Sequence, residues 1–197
     1  MRVPVIPAVV ISIWAAFFVC WLVLAQFNKR ASRSTPWRRR AWAVRLPIIV
    51  AILIFTWYRR HSGARPPPLM RHWLTLHPGV DGQWLGVGLI LLGFGCAFWA
   101  RLYLGRNWGV PMSLREGHEL VTSGPYAYVR HPIYSGLILA TIGSVLAVGL
   151  VWLLPFVLSL AYFIVSARTE EQMMITQFPD TYPAYRRRTR MLIPFVF

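Results

Sequence analysis

Five of the six acidic residues fall into two short stretches: Glu116 and Glu119 within residues 105–132, and Glu170, Glu171 and Asp180 within residues 168–197. Only Asp81 lies elsewhere. The first stretch ends in the string Gly124-Pro125-Tyr126-Ala127-Tyr128-Val129-Arg130-His131-Pro132-Ile133-Tyr134. Carboxylates, imidazoles and phenols in such a mixture can bind a polar ligand and can move a proton. Gly-Pro enforces a turn, and His131-Pro132 restrains the backbone before the next helix. Pro132 suits a first helical turn, whose free N–H groups can bind an anionic group. Taken singly, each of these residues fits an interfacial loop with aromatic anchors at the headgroups. The whole string is far more specific than its parts.

These residues need a scaffold, and composition indicates which kind. The 197-residue chain is 56% hydrophobic, contains 10 Trp and is only 14% charged, where an ordinary soluble domain carries about 25%. That argues against a soluble globule and against disorder, and for an all-α integral membrane protein. The net charge of +15, from 21 Lys+Arg against 6 Asp+Glu, would also suit nucleic acid. The basic residues sit mostly between long apolar runs, however, so the membrane surface accounts for them and no nucleic acid is expected. Apolar blocks cover residues 3–27, 41–58, 83–104 and 133–167. The first three are each close to the roughly 20 residues that cross a bilayer. The fourth is uncharged, and as one helix would reach about 50 Å, well beyond a hydrocarbon core of about 30 Å. Gly149 and Pro155 offer a turn, so it divides into a C-terminal helical hairpin and the total becomes five transmembrane helices. The first block lacks a basic start followed by a small-residue cleavage site, so it counts as a span.

Five spans put the termini on opposite sides. With the N-terminus outside and the C-terminus cytoplasmic, the inner side receives 14 basic residues and the outer side 5, the arrangement that the positive-inside rule favours. Arg45 and Arg101 fall within spans. Arg45 is expected to snorkel to the headgroups; Arg101 either does the same or faces a site. The Arg186–Arg190 cluster reads as a lipid-facing anchor. Cys20 and Cys96 lie inside apolar runs and form no zinc or disulfide framework. His61, His72 and His77 in the segment 59–82 match no familiar metal spacing, and no metal site is expected.

Residues from about Arg101 to Pro194 resemble the isoprenylcysteine carboxyl methyltransferase family, within the wider group that includes membrane phospholipid N-methyltransferases. The resemblance is carried by Gly117-His118-Glu119-Leu120-Val121-Thr122-Ser123-Gly124-Pro125-Tyr126, then Arg130-His131-Pro132-Ile133-Tyr134-Ser135-Gly136, then Glu170-Glu171, Phe178, Tyr182, Tyr185 and Ile193-Pro194-Phe195. It implies a single membrane domain over 1–197, with N-terminal spans and outer loop over 1–82 and the methyltransferase core over 83–197. It also implies a cytosol-facing pocket for S-adenosyl-L-methionine without a Rossmann domain, and no G-x-G-x-x-G is present. In such enzymes His118, Glu119, Leu120, Val121, Tyr126, His131, Pro132, Ile133, Tyr134 and Glu170 would line the cofactor. Tyr126 and Tyr134 can pack on adenine or a sulfonium. Glu170 can accept from ribose hydroxyls or the amine, and His118 and His131 can donate to the carboxylate.

Relatives usually carry an Arg one helical turn before the first Glu of the pair. Here that position is Ser166, and Arg168 lies two residues before Glu170, about 200° away on a helix. Arg168 and Arg101 are therefore the candidates for holding the acceptor at the reacting centre, with Asn107 as a further substrate contact. The expected partners are membrane lipids and a lipophilic small molecule or lipid-modified substrate, with a carboxylate acceptor favoured over an amine or thiol. Two other readings compete. Membrane sterol reductases, which use NADPH, share a related pattern but tend to have Asn where this chain has Ile133. A non-catalytic membrane scaffold would keep the fold alone.

Overall fold

A computed structural model describes residues 5–26, 79–105 and 120–194. The expected second span (41–58), the basic loop after the first span, the outer-loop histidines, Asn107, His118 and Glu119 lie outside them. The described elements are α1 (Val5–Ala25), α2 (Val80–Leu104), a 3-10 turn (Gly124–Ala127), α3 (Pro132–Val148), a second 3-10 turn (Leu150–Trp152), α4 (Leu153–Gln177) and α5 (Tyr182–Arg188). Among the described residues everything regular is helical, and the one extended pairing is an isolated parallel bridge between Val129 and Arg190.

Among the described residues, three elements are long and apolar enough to cross a membrane: α1, α2, and α4 with the turn before it, Leu150–Gln177. Helix α3, at 17 residues, reaches only about 25 Å. Large apolar side chains stay exposed along α1 and α4, among them Phe18, Leu22, Leu154 and Val157. Such a surface suits contact with acyl chains and would be a liability in water.

Lipid offers no hydrophobic drive to bring helices together, so close packing must do it. The seam between α2 and α3 is accordingly built from small residues at two-turn spacing. Gly86 and Gly93 of α2 face Gly143 and Gly136 of α3. A Cβ added at Gly86 would lie 2.6 Å from the Gly143 carbonyl oxygen, and one at Gly93 would strike the Gly136 carbonyl. Ala97, Ala140 and Ala147 continue this core. Helix α1 leans on the pair through Phe17 stacked on Phe94, ring centroids 4.0 Å apart, and through the Trp14 indole donating to Ser144 Oγ at 3.0 Å.

The expected hairpin is present, with its turn at one of the two expected residues. Gly149 has φ +112° and ends α3, a conformation that costs glycine little. Pro155 sits inside the first turn of α4, where its missing N–H costs nothing. The fourth apolar block stops at Ala167, but α4 runs on to Gln177. Residues 168–177 contain no Gly or Pro, so nothing breaks the helix when it leaves the apolar layer. Glu170 and Glu171 are therefore helical residues.

Candidate functional site

The site is assembled where α2 ends, α3 begins and α4 leaves the apolar layer. Gly124 opens its first segment with φ +59°, and a side chain there would run into the ring of Tyr103 near the end of α2. The 3-10 turn that follows buries Pro125 and Tyr126. Tyr185 of α5 donates its hydroxyl to the Tyr126 carbonyl at 2.7 Å. Burial, reinforced by Tyr185 and Glu170 nearby, holds the Tyr126 hydroxyl well above the usual phenol range, so it stays neutral.

Residues 128–131 then run alongside residues 190–191. Arg130 N–H donates to the Arg190 carbonyl at 2.8 Å, His131 N–H to Met191 at 3.1 Å, and Arg190 N–H returns to Tyr128 at 3.3 Å. Ser135 Oγ donates to the Leu192 carbonyl at 2.5 Å. His131 is the residue before α3 and Pro132 its first residue. Proline contributes no N–H there, so those of Ile133 and Tyr134 are the first two donors of the helix start.

Glu170 meets this helix start. Tyr134 donates its hydroxyl to Glu170 Oε1 at 2.5 Å, and His131 Nδ1 lies 3.5 Å from Glu170 Oε2. The neighbouring carboxylate has other company. Glu171 accepts from Arg130 Nε at 2.7 Å, pairs with Arg186 Nε at 3.3 Å, and faces His131 Nε2 at 3.5 Å. Burial alone would lower the His131 pKa, but the two carboxylates outweigh it and hold the imidazole above its ordinary value. Burial pushes the Tyr185 phenol up to about 12.

Of the residues singled out in the sequence, Tyr126, Ile133 and Tyr134 share one buried cluster, with Val121 packed against it. His131 and Glu170 join them at the polar end, Pro132 is buried at the helix start, and Leu120 is half-buried. The two arginines differ in placement, and Arg101 is the nearer, its charge acting on Tyr126. Arg101 is buried, but its guanidinium donates to the carbonyls of Gly105 at 2.6 Å and Leu24 at 2.9 Å, tying the ends of α2 and α1 together. Arg168 is exposed, because α4 continues through it and sets it about 200° from Glu170. Arg130, Glu171, Arg186 and Tyr185 were missed as a linked group. Their one sequence signal was the double Glu: neighbours on a helix point about 100° apart, so the two carboxylates take different partners even where both flank one ring. Ser166 Oγ, one turn before Glu170, is buried and lacks a hydrogen-bond partner among the described residues.

Residues 82–181 match the family model described as phospholipid methyltransferase. The cobalt-zinc-cadmium resistance protein CzcN of Cupriavidus metallidurans is 34% identical over 78% of this chain and 62% of its own length. Protein-S-isoprenylcysteine O-methyltransferase of Schizosaccharomyces pombe is 39% identical over 41% of this chain and 35% of its own. Among solved structures, a eukaryotic intramembrane Ras methyltransferase, isoprenylcysteine carboxyl methyltransferase, superposes with a TM-score of 0.53 at 29% identity, covering 59% of this chain and 43% of the other. The chain thus spans between about a third and two-thirds of the length of these curated relatives.

Proposed function

The chain belongs to the phospholipid methyltransferase family, and on that premise we propose that it transfers a methyl group from S-adenosylmethionine to a lipophilic acceptor at the membrane surface. The observation that carries this reading is the convergence of Tyr134 and His131 on the Glu170 carboxylate at the start of α3. The donor set suits the cofactor. Glu170 offers acceptor oxygens for hydroxyl and amine groups, His131 and the first N–H groups of α3 suit a carboxylate, and the faces of Tyr126 and Tyr134 suit adenine or a cation. The buried Ser166 hydroxyl is an orphaned polar atom of the kind that a ligand satisfies. His118, Glu119, Leu120 and Val121 are proposed to complete the donor side, and Asn107 the acceptor side. Pro132 and Ile133 would form its floor.

When bound, S-adenosylmethionine supplies an activated methyl group on a sulfonium. The chain's own task is then alignment and exclusion of water. Phe163 stacks on Tyr134 with centroids 4.7 Å apart, which walls the polar end from the apolar layer and fixes the ring. The acceptor is proposed to arrive from the bilayer as a small apolar molecule or a lipid-modified one. The Schizosaccharomyces relative bears the name of an isoprenylcysteine O-methyltransferase. A carboxylate acceptor is favoured because it is ionised at neutral pH and needs no base. A thiol acceptor is the second reading. It is favoured by the engagement of Arg101 with the Gly105 and Leu24 carbonyls and the exposure of Arg168, while Glu170 or His131 could take a proton.

Direct binding tests the cofactor. Purified protein in detergent should bind S-adenosylhomocysteine and not NADPH. Binding of NADPH alone would move the reading to a sterol-type reductase, and binding of neither to a scaffold. The rate as a function of pH separates the acceptors: flat above about pH 6 for a carboxylate, rising with pH for a thiol or amine.

A further inference from the structure

Glu171 has its two oxygens held separately. Oε1 accepts a hydrogen bond from Arg130 Nε at 2.7 Å, and Oε2 forms an ion pair with Arg186 Nε at 3.3 Å. Arg130 is itself fixed, since its terminal nitrogen donates to the carbonyls of Thr189 at 2.5 Å and Arg186 at 3.3 Å. These contacts bias the carboxylate toward one orientation, with Oε1 3.5 Å from His131 Nε2, an ion-pair distance at which Nε2 makes no hydrogen bond among the described residues. The opposite nitrogen, Nδ1, lies 3.5 Å from Glu170 Oε2. One imidazole is bracketed by two adjacent carboxylates, and only Glu170 also reaches Tyr134.

We propose that Glu171 is a positioning residue, which holds the Nε2 edge of His131 so that the Nδ1 edge is presented to Glu170 and the methyl donor. The proposal rests on the reading of His131 as a donor contact. The physical argument is a count of protons. A neutral imidazole has one N–H and can serve one carboxylate; an imidazolium has two and can serve both. Glu171 thus biases which way the ring faces and favours the doubly protonated form. The charged and titratable groups facing His131 are Glu170 and Glu171 from α4, Tyr134 from α3, Arg186 from α5 across Glu171, and Arg130 on its own segment. A staple that merely joined α4 to residues 186–189 would need Arg130 and Arg186 on Glu171, and would be indifferent to the state of His131.

The test reads His131 itself. In the full chain in detergent, with no cofactor, the imidazole is titrated by NMR, and its signal is assigned by its loss in H131Q. E171Q keeps the shape and an oxygen for Arg130 but removes the charge. It should move the His131 titration to lower pH and weaken S-adenosylhomocysteine binding by about tenfold at pH 8, with a smaller loss at pH 6, where a larger share of the rings carries the second proton. R186Q leaves Arg130 on Glu171 and should leave the titration in place. An unchanged His131 titration in E171Q overturns the proposal, as does a shifted titration with wild-type affinity at both pH values. If E171Q does not fold, E171D carries the same test by drawing the charge back one methylene, with a smaller shift of the same sign expected and an unchanged titration overturning the idea. If the wild-type protein binds no S-adenosylhomocysteine, the cofactor reading fails, and the titration still decides the role of Glu171.

Discussion

The imidazole of His131 and the phenol of Tyr134 lie almost parallel, 3° apart in plane with centroids 5.4 Å apart, one ring just before α3 and the other in its first turn. Both polar tips turn to the same carboxylate, Glu170 on α4. The three-residue spacing that follows His131-Pro132 produces this stack, since residues three apart on a helix lie on one side. Extending α4 beyond the apolar layer supplies the carboxylate.

Truncating either partner should therefore remove a donor contact and leave the bundle intact. H131A and E170A are each expected to weaken S-adenosylhomocysteine binding by about tenfold or more, from the loss of about 1.5–3 kcal/mol in a charged hydrogen bond. Calorimetry in detergent, with helicity followed by circular dichroism, makes the check. Wild-type affinity in both variants would remove them from the site.

Stability should depend on pH through His131. Its pKa is raised in the folded protein from an unfolded value of about 6.5. The folded state therefore binds the extra proton more tightly. The resulting stabilisation is fully present below about pH 6.5 and is lost as pH rises through the folded value. Tyr182 and Tyr185 are pushed upward by burial and do not titrate in that window. Melting temperature should fall as pH is raised from about 6 to about 9, with a flatter profile in H131Q. A wild-type profile that rises across the window would contradict this sign.

The helix seam makes a separate demand. G93A places a methyl group against the Gly136 carbonyl and the Ala140 backbone, and backbone cannot step aside as a side chain can. A loss of about 1–3 kcal/mol is expected, seen as a lower melting temperature in detergent. G88A on the same helix meets only open space and should melt as the wild type or slightly higher. Equal behaviour of the two variants would mean that the seam is looser than described.

Orientation is open to a chemical test. Cysteines introduced into residues 28–40 should be labelled from the cytoplasmic side only, because the basic residues there are expected to face inward. Labelling from outside would invert the proposed topology and put the site on the opposite face.

Much of this was legible in the residues. The string 124–134 announced a turn, a constrained segment and a helix start, and all three are present at those positions. Gly149 announced the hairpin turn by local chemistry alone. What was not legible depends on distant partners. Nothing near Glu171 in sequence indicates that it pairs with Arg130 and Arg186 while Glu170 meets Tyr134. That division is decided by the rotation of α4 against α3. Arg101 shows the same limit: an arginine near the end of a span suits a site, a headgroup or a neighbouring helix end, and only the position of Leu24 selects the last. The length of α4 was underestimated because hydropathy marks where a helix leaves lipid, not where it ends.

The pairing of residues 128–131 with 190–191 has a consequence for biosynthesis. His131 hydrogen-bonds through its backbone to Met191, and Arg130 to Arg190 and Thr189, so the segment before α3 is complete only with a stretch that is translated some sixty residues later. During membrane insertion α1, α2 and α3 can assemble as soon as each leaves the translocation machinery, since their seams lie among themselves. The proposed donor side cannot. Its backbone pairing forms after α4 is made and residues 189–192 have been released, so a ribosome stalled before that point would leave a helical bundle without the pairing around His131.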